Sequence, residues 1–211
     1  MKKIVLSLIL LFWGRGPAMA QARFEVLFDL RWSSPTGAAD LFTAHQAVKG
    51  LEDLVLKPTL FGEKTAGKKI LGLAYRLSKT VLVDIPLDHM TFLVQHEVFG
   101  HGARYREFGF ADNRYILHFF FPYGPGWGRA YPGGLPEGRQ VSLDEHLVMT
   151  IAGSEANHIL AQAVQEEWVE RGEIRYHDAL LYLLTASDLT GYIWRTKFWG
   201  AGSGPNDILN Y

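Results

Sequence analysis

Residues 96 to 101 read His-Glu-Val-Phe-Gly-His, and no other stretch restricts the fold as strongly. Two imidazoles can act together only if one helix face carries both. Positions four apart on a straight α-helix lie about 40° from each other, whereas positions five apart diverge by about 140°. His96 and His101 are five apart, so the chain must either separate them or absorb one extra residue in the turn between. A π-bulge does the second, and such bulges concentrate at functional sites. Gly100 and Gly102, on either side of His101, lower the steric cost of that distortion. The expected element is a helix with a widened turn, capped by Asp88 at its start and ended by Gly109.

The rest of the chain patterns mostly as helix. "RFEVLFDLRW" (23 to 32) alternates like a strand, and "SSPTG" breaks it before a helical stretch from about Ala38 to Val55. Ile70, Leu73, Ala74, Leu77 and Val81 mark a second amphipathic helix, which "TVLVDIPL" finishes as helix or strand before Pro86 separates it from the motif. "RYILHFFF" (114 to 121) reads as a buried strand. The Gly- and Pro-rich segment 122 to 139 reads as a long loop, in which Tyr123, Trp127 and Tyr131 either cover a cleft or anchor the connector. Ser142 with Glu145 three residues on forms a capping box for a helix that Gly172 ends. A further helix runs from about His177 to Trp199. The fold class expected is α+β, helix-dominated: one domain over residues 21–211, with the motif helix beside the 142–172 helix and a small sheet at the edge, loosely zincin-like.

Residues 1–20 open with Lys2 and Lys3, continue through "IVLSLILLFW" and close on Ala18-Met19-Ala20, the pattern of a cleavable export signal. The apolar run falls short of the roughly 20 residues a spanning helix needs. The expected location is therefore periplasmic or secreted. Membrane association is the less favoured alternative, because Glu155, His158, Asp188 and Arg195 interrupt the apolar late helices and ionisable groups are costly in lipid. A formal net charge of −1 without a long basic run gives no footprint for nucleic acid. With no cysteine, any transition metal must be held by His, Asp or Glu.

The hexapeptide suits such a metal, with two imidazole ligands and Glu97 placed beside a metal-held water. Catalytic zinc sites take three protein ligands and keep one position open. Glu155, in "AGSEANH", is the first candidate for the third ligand. A carboxylate among Ile151, Ala152, Ala156, Ile159 and Leu160 needs a partner if it is buried. Its alternative is to face solvent and pair with Arg104 or Arg106. His158, three residues after Glu155 and on nearly the same face, is a candidate catalytic donor. Asp207 is the rival third ligand, with an N-cap as its simpler role. His89, His118, His146 and His177 have no motif-like spacing to one another and read as ordinary.

His96-Glu97-Val98-Phe99-Gly100-His101 resembles the H-E-x-x-G-H signature of the dipeptidyl peptidase III family of zinc metallopeptidases. That resemblance implies Zn²⁺ held by His96, His101 and Glu155, with Glu97 as general base. "FLVQHEVFGHGARYREFG" followed by "IAGSEANHILA" is similar to the motif order of site-2-type metallopeptidases, in which a later aspartate is the last ligand. That second resemblance implies Asp207 in place of Glu155, and a membrane-embedded variant of the same chemistry. The expectation is an exported zinc-dependent hydrolase, a metallopeptidase or amidase acting on a peptide or other amide. A noncatalytic metal-binding or structural envelope protein is the alternative, and Glu97 weighs against it because a structural site needs no base.

Overall fold

In chain order the elements are β1 (Ile4–Ile9), β2 (Arg23–Phe28), α1 (Ser34–Leu60), α2 (Ala66–Lys79), α3 (Ile85–Val94), α4 (Gly102–Glu107), β3 (Arg114–Leu117), β4 (Gly128–Tyr131), α5 (Leu143–Arg171), α6 (Tyr176–Ala186) and α7 (Asp188–Trp199). The structure is a computed structural model and describes residues 4–9, 23–29, 31–60 and 66–199. It is the helix-dominated α+β fold expected from the sequence, with small antiparallel two-stranded sheets. β1 pairs with β2, so residues 4–9 of the run read as an export signal lie along Arg23–Phe28. β3 pairs with β4 in the register Arg114 to Tyr131 and Leu117 to Gly128.

Local sequence explains most boundaries. Ser142 accepts from Glu145 N and the Glu145 side chain accepts from Ser142 N, the expected capping box, while Gly172 closes α5 in the left-handed conformation at φ 68°. α1 starts earlier than expected, at Ser34, because Pro35 sits comfortably in a first turn, where no intrahelical partner exists for its missing N–H. The expected 177–199 helix is two, broken at Ser187. β3 is shorter than the expected strand and half exposed, and the expected loop 122–139 contains β4.

The largest difference lies before the motif. α2, α3 and α4 are joined without a break by two π-helical turns, Thr80–Asp84 and Gln95–His101. Pro86 therefore does not separate two elements. It follows the first π turn, whose wider backbone relieves the clash of the proline ring with the preceding turn. Asp88 is correspondingly no N-cap: it is inside α3, fully buried, and its Oδ1 is 2.9 Å from His45 Nε2 of α1. His45 Nδ1 is in turn 3.4 Å from Asp178 of α6.

The core joins Ala38 and Phe42 of α1, Leu160 and Val164 of α5, and Leu181 of α6. Against it the motif turn is fastened by polar bonds. Gln95 Nε2 donates to the carbonyls of Ser34 and Ala156 at 3.0 and 2.9 Å, and Ser34 Oγ donates to Phe99 O at 2.6 Å. One fully buried amide thus ties α1, the motif turn and α5 together.

Candidate metal centre

The second π turn spans Gln95–His101 and absorbs the extra residue of the hexapeptide, as the spacing predicts. It brings His96 Nε2 and His101 Nε2 to 3.3 Å, with both rings buried. The turn can sit this close to α5 because small residues meet there. A Cβ on Gly100 would lie 2.7 Å from Ala152 O and from Gly153 Cα, and one on Gly153 would lie 2.3 Å from His96 Nε2. The His96 ring therefore occupies the space that any side chain at position 153 would fill.

Each imidazole is oriented from its far side. His101 Nδ1 is 2.7 Å from Met149 O, a carbonyl that can only accept, so Nδ1 carries the hydrogen. His96 Nδ1 is 3.0 Å from Asp188 Oδ2 at the start of α7. Asn157 Nδ2 donates to the same oxygen at 2.9 Å, which leaves the two donors 3.2 Å apart. With the hydrogen of each ring on the Nδ1 that faces an acceptor, both Nε2 lone pairs point toward one place, an arrangement that a shared proton or a metal ion can bridge. Two imidazole nitrogens at about 2.0–2.1 Å from a tetrahedral zinc stand about 3.3–3.4 Å apart. The observed spacing fits that geometry, and the acceptor behind each ring is the arrangement found for metal-ligating histidines.

Glu97 is buried on the same turn, and its Oε2 accepts from Ala130 N of β4 at 2.7 Å. In an antiparallel ladder, adjacent residues direct their N–H groups to opposite edges, so Ala130 turns to Glu97 while its neighbours bond to β3. His96, Glu97 and His101 line a cleft of about 330 Å³ whose other walls include Tyr105, Tyr131, His146 and Tyr192. The Tyr192 hydroxyl is 3.4 Å from His96 Nε2. Of the three loop aromatics, Tyr131 lines this cleft, while Tyr123 and Trp127 are exposed elsewhere.

The structure does not bring Glu155 or His158 to the histidines. Both are exposed on α5, and Glu155 Oε2 accepts from Arg104 Nη2 at 2.9 Å, the solvent-facing pairing that was its alternative. The inward face of α5 carries Gly153 and Asn157, and Glu155 lies about 200° round the helix from Gly153. Arg104 also bonds Glu107 at 2.6 Å. Asp207 lies outside the described residues, and among the described residues no group of three or more His, Asp or Glu forms a metal-ligating set. Asp188, Asn157 and Tyr192 were not read as site residues from the sequence. Their one signal was polarity in otherwise apolar helices, which cannot by itself say what they face. No known protein family, curated protein or solved structure matches this chain.

Proposed function

We propose that the chain is a zinc-dependent hydrolase of the metallopeptidase or amidase type, with His96 and His101 as metal ligands and Glu97 as general base. The observation that carries this is the pair of Nε2 atoms 3.3 Å apart, each imidazole held from behind by an acceptor. Imidazole ligands without thiolate suit zinc. When bound, zinc supplies a Lewis acid and lowers the pKa of water to about 7.

The chain's own residues supply the rest. Glu97, held through one oxygen by Ala130 N–H, takes the proton of the attacking water and returns it to the leaving amine. Tyr192, Tyr105 or Tyr131, all on the cleft wall, donates to the developing oxyanion. His158 and Arg104 are placed too far out for that role. The exported location proposed from residues 1–20 fits a hydrolase of peptides or other amides.

Elemental mass spectrometry of the purified chain tests the reading, together with His101→Ala, Asp207→Ala and Glu97→Gln. About one zinc per chain is expected, lost in His101→Ala and kept in Glu97→Gln, in which turnover on an amide and peptide panel falls at least about a hundredfold. Loss of zinc in Asp207→Ala assigns the third ligand, and retention excludes that residue. A folded wild-type chain that takes up no metal when zinc is supplied refutes the proposal.

A further inference from the structure

α2 is turned inside out. Lys68, Gly72, Tyr75 and Lys79 form the side facing the protein: Gly72 is buried, and Lys79 Nζ lies 2.6 Å from Glu52 and 3.1 Å from Asp84. The opposite side carries Ile70, Leu73 and Leu77, which are 70%, 59% and 61% exposed. Val81, four residues after Leu77 and 42% exposed, carries that stripe into the first π turn. A surface helix normally buries its apolar stripe in the core, and a contiguous exposed apolar patch marks an interaction surface.

Charge identifies the occupant. Between Ala66 and Lys79 there are four basic residues and no acidic one. Exposed Lys69 and Arg76 border one flank of the stripe, about 100° round the helix from Ile70 and Leu77 respectively. A second copy of the chain packed stripe to stripe would set basic flank against basic flank if antiparallel, and against uncharged Ala74 and Ser78 if parallel, with no α2 carboxylate to offset it in either case. Anionic headgroups complement that basic flank while acyl chains cover the leucines, as for in-plane helices with a basic border. We infer that the exposed face of α2 docks on an anionic lipid bilayer. The helix is about 21 Å long and lies along the surface; among the described residues no helix is long and apolar enough to cross a membrane. α2 continues unbroken into the histidine turn, so docking fixes the cleft about 28 Å along the rod from Leu77 to His96. The surface does not depend on the metal reading.

Vesicle flotation tests this with the full chain, using phosphatidylcholine vesicles with and without about a third phosphatidylglycerol. The chain floats with the anionic vesicles, and Leu73→Glu with Leu77→Glu lowers its partition at least about tenfold. Lys69→Glu with Arg76→Glu removes most of the preference for anionic lipid and its salt sensitivity. Because the apolar N-terminal run is common to all variants, the differences between them read α2 alone. Circular dichroism compares their folds, and the milder Ile70→Asn, weakening binding severalfold, covers any loss of fold in the double variant. Equal partition of wild type and folded α2 variants overturns the inference. So does absence of binding, or a wild-type dimer in sedimentation that the Leu73 and Leu77 substitutions dissociate.

Discussion

Gly153→Ala sets helix propensity against the geometry of the centre. A methyl carbon there would lie 2.3 Å from His96 Nε2, 2.4 Å from Cε1 and 2.5 Å from Cδ2, where ordinary contact begins at 3.4 Å. The ring must retreat by about 1 Å, since α5 is already in close contact with Gly100 and interiors have little free space. In an exposed helix the substitution would stabilise by about 1 kcal/mol. Here overpacking costs about 1–3 kcal/mol, so the metal-free fold changes by between nothing and a loss of about 2 kcal/mol. The effect on zinc is larger. Moving the ring abolishes the 3.3 Å Nε2 spacing and the 3.0 Å bond to Asp188. Disturbing the support of a ligand alone weakens metal binding about 10–100-fold, and a displaced ligand loses at least that upper figure. Chelator competition measures zinc affinity, and urea unfolding of the metal-free chain measures stability. Zinc affinity within about twofold of wild type in a folded Gly153→Ala chain would refute the assignment of His96.

Asp188→Asn replaces the carboxylate behind His96 by a weaker acceptor and should lower zinc affinity about 10–100-fold, read by the same competition; unchanged affinity would deny Asp188 its orienting role. Glu155→Ala should leave zinc content unchanged and stability within about 1 kcal/mol, because its pair with Arg104 is exposed; metal loss would return Glu155 to the ligand set. His45 gives a pH signature. Burial pushes its pKa down, but the carboxylates of Asp178, 3.4 Å away, and of Asp88, hydrogen-bonded at 2.9 Å, outweigh this and hold it above the usual value. A pKa raised by folding makes the contribution complete below about pH 6.5 and lost as pH rises through the folded value. His45→Gln should therefore lose about 3–5 kcal/mol at pH 6 and lose less on the alkaline side. Parallel stability curves from pH 6 to 9 would refute that linkage.

The features legible in the sequence are those whose signals are local. The capping box at Ser142 and Glu145, the stop at Gly172 and the widened turn at His101 depend on residues within one or two turns of each other. The supports of the histidines are not local. Asp188 reaches His96 across 92 positions and Met149 reaches His101 across 48. Nothing in the spacing of α7 says that its first carboxylate faces an imidazole. Met149 acts through a backbone carbonyl, so its side chain carries no signal. Gly153 and Ala152 were visible as small residues in "AGSEANH", yet only the approach of the motif turn shows that the motif's value lies in what those residues lack.

Glu155 and α2 depart from expectation for one physical reason. Periodicity establishes that a helix has two kinds of face, but the side turned inward is decided by what the neighbouring elements offer. On α5 the neighbour is the histidine turn, which selects Gly153 and Asn157 and leaves Glu155 with Arg104 in solvent, even though Ile151 is exposed as a result. On α2 the neighbour is α1, whose Glu52 binds Lys79 and whose Lys49 binds Asp84 of the same rod, and these pairs turn the polar side inward. The apolar stripe of α2 lies at Ile70, Leu73 and Leu77, as the periodicity predicts, and it is exposed instead of buried in the core. The same rod that carries the paired histidines thus carries, at its other end, an exposed apolar stripe. A chain whose motif helix is continuous with a lipid-docking helix would position its cleft relative to the bilayer through helix length alone, without a linker.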